Sequence, residues 1–190
     1  MDTQTFLDKI IGFDEQIFLN INIGLKNSIL DFIFPKVSFL AEPLVLLSVG
    51  ILLFLLERKS ARLSAALFIL SIIFTRMIVF CLKDLVSRPR PMDVFKTIKL
   101  IGSSVSYAFP SGHTTTIAVA ATILSFKYKK LSWLFILIAL AVGISRVYVG
   151  HHYPSDVLAG WFLGFVIGLL FVGAQDLFRK IFSSSEDSQN

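Results

Sequence analysis

The stretch that decides the fold is residues 145–174, SRVYVGHHYPSDVLAGWFLGFVIGLLFVGA. Its first part holds an arginine, two histidines and an aspartate, and its second part is a run of apolar residues without a charge. Another apolar run, LSWLFILIALAVG at 131–143, precedes it. A helix rises about 1.5 Å per residue, so about 20 apolar residues cross the hydrocarbon of a bilayer. The stretch therefore predicts two membrane helices joined by a polar turn.

The composition of the whole chain agrees with membrane insertion. Of its 190 residues, 55% are hydrophobic and only 16% are charged, whereas soluble domains average about 45–50% and about 25%. Backbone polar groups in lipid must be satisfied internally, which favours helices. We therefore predict an all-α integral-membrane bundle of five to six transmembrane helices. Five spans are predicted from apolar runs, at 37–56, 63–82, 111–127, 131–149 and 157–178.

The regions outside these runs complete the predicted organisation. Residues 1–36 mix apolar and charged positions, which is typical of an amphipathic helical segment at the membrane interface, with a sixth span as the alternative. Residues 37–180 form the predicted transmembrane domain, and the polar residues 181–190 a disordered cytoplasmic tail. Short connections rich in Lys and Arg mark the cytoplasmic side; these are 57–62, 127–130 and 179–180.

Three polar clusters fall on the opposite side of the predicted bundle. They are KDLVSRPRP (83–91), FPSGHTTT (109–116) and SRVYVGHHYPSD (145–156). Packed helices would bring them into one pocket that holds several cations and few acids, so its ligand should be an anion. Arginine side chains and the amino-terminal end of a helix suit phosphate in particular.

Spacing separates the two adjacent histidines. His152 and Asp156 are four residues apart and are neighbours on one helical face. His151 points about 140° away from Asp156 on an ideal helix. We therefore expect His152 to be a nucleophile, Asp156 to orient it, and His113 from the second cluster to act as general acid. His151 is predicted to lie at the pocket rim or the membrane interface.

The three clusters resemble the signature of the type 2 phosphatidic acid phosphatase (PAP2) superfamily, which reads KxxxxxxRP, PSGH and SRxxxxxHxxxD. The resemblance implies a bundle of the acid phosphatase–haloperoxidase type, usually with six spans in membrane members. It also implies dephosphorylation through a phosphohistidine, without a metal or other cofactor. The catalytic residues it implies are His152, His113 and Asp156, and the phosphate-binding residues are Lys83, Arg90, Ser111, Gly112 and Arg146. Arg88 and His151 lie outside the fixed positions of the signature.

The resemblance also implies a lipid phosphate as substrate and a membrane-embedded protein that binds no nucleic acid and has no obligate protein partner. Short extramembrane loops leave little room for a soluble substrate. A polyprenyl diphosphate or a lipid A 1-phosphate is therefore favoured, with phosphatidylglycerophosphate or phosphatidic acid as the alternative. We expect the protein in a bacterial inner membrane, with its active site on the extracytoplasmic side.

Other classes of protein explain fewer of these residues. An intramembrane serine protease needs a Ser–His pair but gains nothing from clustered cations. An anion transporter would use the cations but not a His–Asp pair, and such proteins usually contain internal repeats. A metal hydrolase could use His113, His152 and Asp156 as ligands, but the surrounding cations would repel the metal.

Two charged residues inside predicted spans suggest a further contact. Glu42 and Arg76 lie about 8 Å and about 10 Å from the outer ends of their spans, at about 1.5 Å per residue. We hypothesise that they form a buried pair. The alternative is that Glu42 marks the true start of its span.

Overall fold

The described residues of the computed structural model are 2–58, 62–96, 98, 100–101 and 106–187. They form eight α-helices and a short 3-10 turn at Lys129–Leu131. In chain order the α-helices are α1 (Thr3–Asn22), α2 (Ser28–Phe39), α3 (Pro43–Leu56), α4 (Arg62–Val86), α5 (Pro91–Val94), α6 (Gly112–Lys127), α7 (Ser132–Tyr148) and α8 (Pro154–Asp187).

Helix α6 is the centre of the bundle. It packs against α8, α7, α4 and α3, and its side chains are buried without interruption from Thr114 to Ile123. The hydroxyls of Thr115, Thr116 and Thr122 each donate to the carbonyl oxygen four residues earlier, over 2.7–2.8 Å. These polar side chains are therefore satisfied within their own helix and add no unmet hydrogen bond to the core.

The contact between α6 and α8 depends on glycine. Gly160, Gly164 and Gly168 lie at four-residue intervals on the face of α8 that meets α6. A methyl group at Gly164 would lie 2.4 Å from the carbonyl oxygen of Thr115, and one at Gly168 would lie 2.6 Å from Cβ of Thr122. Small residues at this spacing let membrane helices approach closely. The beginning of α6 is thereby held beside the beginning of α8.

The remaining helices surround this pair. Helix α4 packs against α3, α6 and α8, whereas α7 packs against α2, α6 and α8. The apolar core between them includes Phe68, Ile72, Val119, Val142 and Ile167. Helix α1 lies against α7 and α8, and its Phe18 is fully buried against Tyr153.

The helices confirm the predicted all-α membrane bundle. Among the described residues, three helical segments are long and apolar enough to cross a membrane: Arg62–Val94, Lys129–Tyr148 and Pro154–Lys180. Helices α2 and α3 add a fourth candidate, bent by 52° between its two halves. This count is lower than the predicted five to six, in part because α6 is a helix of only 16 residues.

The predicted span 37–56 is interrupted, and the predicted domain boundary at 36/37 falls inside α2. Helix α2 ends at Phe39 and α3 begins at Pro43. Proline cannot donate to the preceding turn, and it disfavours helical geometry in the residue before it. Accordingly Glu42 is extended, with φ −62° and ψ 133°, and it marks the start of α3.

Helix α8 extends into the predicted tail. It continues to Asp187, whereas residues 188–190 lie outside the described part of the chain, and the disordered tail stays a prediction. Once a helix has formed, each further residue adds a hydrogen bond at little entropic cost. A polar composition alone does not end it.

The close approach of α6 and α8 predicts a position-specific effect of one methyl group. Gly164→Ala should lower the free energy of unfolding by about 1–3 kcal/mol, the usual cost of overpacking, because its Cβ would meet the backbone of α6. Gly173→Ala on the same helix is the matched control, since a Cβ there meets nothing within 4 Å. Thermal unfolding in detergent, followed by circular dichroism, compares the two. Equal midpoints for both variants would contradict the close contact.

Candidate active site

His152 and Asp156 lie in and just after the turn between α7 and α8. Gly150 has φ 88°, a conformation that glycine adopts without steric cost, and it lets the chain reverse. Both side chains are enclosed, with His152 2% and Asp156 0% exposed. Oδ2 of Asp156 accepts the backbone N–H of Tyr153 at 2.9 Å and lies 3.6 Å from Nδ1 of His152. Asp156 thus faces Nδ1, which has no hydrogen-bond partner among the described residues, and Nε2 is the nitrogen that the predicted nucleophile would use.

Arg90 lies beside Nε2 of His152. Its Nη1 lies 3.4 Å from Nε2 of His152 and donates to the carbonyl oxygen of His151 at 2.9 Å. Its Nε donates to the carbonyl oxygen of Ser106, and Nη2 to the hydroxyl of the same residue. These contacts hold the guanidinium rigidly beside the atom that would bond to phosphorus.

Arg146 is held by the histidine that the sequence spacing set aside. Nη2 of Arg146 donates to Nδ1 of His151 at 2.7 Å, while Nε2–H of His151 donates to the carbonyl oxygen of Ile101 at 3.0 Å. A ring that accepts at one nitrogen and donates at the other is neutral. Burial, and then the charge of Arg146, lower the pKa of His151 to about 4.

The predicted place of His151 at the pocket rim is therefore wrong. Its side chain is buried because one ring nitrogen serves Arg146 and the other serves a backbone carbonyl. In turn, Nε of Arg146 is a buried donor without a partner among the described residues. A phosphate oxygen would satisfy it.

The beginning of α6 closes another side of the site. The backbone N–H of Ser111 donates to the carbonyl oxygen of Asp156 at 3.1 Å, and the Ser111 hydroxyl exchanges a hydrogen bond of 2.8 Å with Thr114. Gly112 opens the helix, where free N–H groups and the helix dipole favour an anion. Lys83, in the last turn of α4, donates to the carbonyl oxygen of Tyr107.

His113 has a carboxylate partner. Its Nε2 lies 2.9 Å from Oε1 of Glu42, which the α2–α3 break brings to the beginning of α6. The hypothesised Glu42–Arg76 ion pair is thus not formed; Glu42 pairs with His113 instead. The carboxylate can accept a hydrogen bond from this ring nitrogen and so orient the predicted general acid.

The electrostatic surroundings suit His152 to attack. Burial lowers the pKa of His152 well below its usual value, and the charges of Arg90 and Arg146 lower it further. The ring is therefore neutral near pH 7, with a lone pair available on one nitrogen.

A positioning network around Asp156 was missed by sequence reasoning. Arg88 donates from Nη1 to Oδ1 of Asp156 at 2.6 Å and from Nη2 to Oδ2 of Asp14 at 2.8 Å. Asp14 also accepts from the backbone N–H of Ser155 at 2.9 Å and from its hydroxyl. The Arg88 guanidinium covers the ring of Tyr153, 4.0 Å from its centroid. Helix α1 is thereby tied to Asp156, the predicted orienting residue.

The sequence features that could have indicated Arg88 and Asp14 differ in strength. Arg88 stood within a recognised cluster and lacked only a fixed place in the signature. Asp14 shares a helical face with buried Phe18, four residues on. An acid on the apolar face of an amphipathic helix is the sequence feature that could have indicated it.

The structure brings all three clusters together. The first meets the third through Arg90 at His152 and Arg88 at Asp156, and the second meets the third through Ser111 at Asp156. Within the described residues, no three His, Cys, Asp or Glu side chains are placed to hold a metal ion. The metal-free reaction remains a prediction.

The fold is an all-α membrane bundle, and its site holds a buried His–Asp pair that faces several cations. Together they define a membrane-embedded enzyme that acts on phosphate groups. The sequence profile of the PAP2 superfamily matches residues 64–180. The chain belongs to this superfamily, and it is a phosphoric-ester hydrolase of the PAP2 type.

Individual relatives give the same family. The undecaprenyl-diphosphatase of Sulfolobus acidocaldarius is 32% identical over 85% of this chain and 78% of its own length. Undecaprenyl-diphosphatase BcrC of Bacillus subtilis is 37% identical over 48% of this chain, which corresponds to 47% of that protein. Among solved structures, a transmembrane PAP2-type phosphatidylglycerolphosphate phosphatase from Bacillus subtilis superimposes with a TM-score of 0.77. The two chains are 26% identical, and the match covers 88% of this chain and 87% of the other.

The two adjacent histidines should differ in their kinetic effect. His151→Ala removes the acceptor that holds Arg146, so we expect KM to rise about tenfold, a typical loss for a hydrogen bond to a charged group, with kcat largely kept. His152→Ala should abolish turnover. Steady-state phosphate release distinguishes the two. Equal inactivation of both variants would show that His151 does more than position Arg146.

The Asp14 contact predicts that the N-terminal helix affects catalysis. Asp14→Asn removes the charge that Arg88 and Ser155 share, and it should lower stability by about 1.5–3 kcal/mol and also reduce kcat. Asp8→Asn is the matched control on the same helix, because Asp8 is exposed. Unfolding in detergent and phosphate release are measured together. An Asp14→Asn enzyme that behaves like the Asp8→Asn enzyme would contradict the network.

Proposed function

We propose that the protein is a lipid phosphatase that removes a phosphate group from the head of a membrane lipid through a phosphohistidine on His152. The observation that carries this proposal is the environment of one ring. Its Nδ1 faces Asp156, while Nε2 lies 3.4 Å from Arg90. A nucleophile backed by a carboxylate and facing a phosphate-binding cation is suited to phosphoryl transfer.

The first step transfers the phosphoryl group to the enzyme. Nε2 of His152 forms a bond to phosphorus as the bond between phosphorus and the leaving oxygen breaks, and His113 gives its proton to that oxygen. Arg90, Arg146 and the N–H groups at the start of α6 hold the other oxygens. Asp156 stabilises the positive charge that develops on the imidazole ring.

The second step returns the enzyme to its starting state. A water molecule attacks phosphorus and gives a proton to His113, which the first step left neutral. The nitrogen–phosphorus bond breaks, its electron pair returns to Nε2 of His152, and inorganic phosphate leaves. Glu42 accepts a hydrogen bond from His113 in its protonated form, so it supports the acid at the start of each cycle.

A polyprenyl diphosphate or a lipid A 1-phosphate is the favoured substrate, and the names of the two undecaprenyl-diphosphatase relatives support the former. Phosphatidylglycerophosphate is the second candidate, because the solved relative is a phosphatase of that lipid. All three candidate substrates present a terminal phosphate group to His152.

The proposed location is a bacterial inner membrane, with the site on the extracytoplasmic side. The site lies at the amino-terminal end of α6. That helix ends at Lys127, which pairs with Glu57, and Lys129 and Lys130 follow it. A short basic connection is typical of the cytoplasmic side, so the two ends of α6 support this orientation.

The proposal predicts a trapped covalent intermediate. Wild-type protein in detergent should release phosphate from polyprenyl diphosphate, and rapid quenching in alkali, where phosphohistidine survives, should capture label on the protein. His152→Ala should give neither product nor label. Turnover should be unchanged by EDTA.

Two controls separate the parts of the proposal. His113→Ala should still label but turn over slowly, because the acid assists departure and hydrolysis while the nucleophile remains. Activity that survives in His152→Ala would refute the nucleophile, and loss of activity in EDTA would refute the metal-free reaction. Lipid A and phosphatidylglycerophosphate, assayed alongside, rank the substrates.

A further inference from the structure

Arg76 is a cation in the middle of α4 that no part of the mechanism uses. It lies seven residues before Lys83 on the same helix, and residues seven apart lie on nearly the same face, about 10 Å apart. The two cations therefore form a row along α4, with Lys83 at its outer end and Arg76 deeper in the membrane.

Its guanidinium lies against the beginning of α6. Nη1 of Arg76 lies 2.8 Å from where a Cβ on Gly112 would stand, and Val79 of α4 touches the same point at 3.4 Å. A side chain larger than hydrogen at this position would displace the guanidinium. Arg76 therefore lies against the first turn of α6, next to His113.

The exposed fraction of the side chains rises from His152 towards His113, Glu42 and Arg76. His152 is 2% exposed, whereas the side chains of His113 and Glu42 are 22% and 43% exposed, and Arg76 is exposed as well. The site is closed behind the nucleophile and opens on the side of the acid, next to the α2–α3 break. In an in-line displacement the leaving group lies opposite the nucleophile, so it occupies this open side.

The described residues supply no counter-charge for Arg76. In the described part of the chain it has no carboxylate within ion-pair distance, because Glu42 pairs with His113. A charged residue at this depth is costly and is usually functional. The missing counter-charge should come from the ligand.

We infer that Arg76 binds the second, lipid-linked phosphate of a diphosphate substrate and so selects diphosphates over monophosphates. This inference rests on the proposed function and names its substrate class. When a lipid monophosphate is cleaved, the leaving group is a neutral alcohol, which gains little from a cation. When a diphosphate is cleaved, the leaving group is itself a phosphate whose negative charge grows in the transition state, and a guanidinium beside it stabilises that charge.

The test compares polyprenyl diphosphate with polyprenyl monophosphate of the same chain length. For Arg76→Gln, kcat/KM should fall at least tenfold on the diphosphate and less than threefold on the monophosphate. Arg76→Lys should keep most of the preference. Arg179→Gln is the matched control, because Arg179 donates to Ser64 at the other end of α4, and it should change neither value.

A binding measurement keeps this inference separate from the chemistry. A methylene diphosphonate analogue of the lipid, which cannot be hydrolysed, should bind Arg76→Gln at least tenfold more weakly than wild type. Equal losses on both substrates, or unchanged binding of the analogue, would overturn the role of Arg76. Wild-type protein that binds the analogue through Arg76 but hydrolyses neither lipid would instead overturn the proposed phosphatase activity.

Discussion

The site depends on the contact between α6 and α8. Gly160, Gly164 and Gly168 remove the side chains that would otherwise separate the two backbones, and the remaining helices pack around the pair. This contact places the N–H of Ser111 on the carbonyl of Asp156. It therefore brings together two parts of the chain with different predicted roles, the beginning of α6 as an anion-binding site and His152, before α8, as the nucleophile.

Around the α6–α8 pair, a second residue holds each of three predicted site residues in place. Arg88 holds Asp156, His151 holds Arg146, and Ser106 holds Arg90. The supporting contacts come from backbone carbonyls, a neutral histidine and a carboxylate on α1. Catalytic geometry that must hold within fractions of an ångström needs such supporting contacts. For this reason the first and third clusters contain more residues than those that would contact phosphate.

The sequence predicted those features that depend on residues close together in the chain. Four-residue spacing paired His152 with Asp156, and hydrophobic runs located α4, α6, α7 and α8 within a few residues, except at the carboxyl end of α8. It was not informative about contacts between distant segments. The bond from Asp14 to Ser155 crosses 141 positions, and that from His113 to Glu42 crosses 71. The break before Pro43 was readable from proline chemistry, but the apolar residues on both sides of it suggested one continuous span.

The link between Asp14 and Ser155 has a consequence for biosynthesis. Helix α1 leaves the ribosome before α8, and α2 to α7 are made between them. Closing a loop of that size costs entropy that local contacts do not repay, so the two helices meet late. Until α8 is inserted, Asp14 and Arg88 have each other as partners but not Ser155 and Asp156, which both lie on α8. Asp156, the predicted partner of His152, is then not yet in place. The predicted active site is therefore complete only once α8 has joined the bundle.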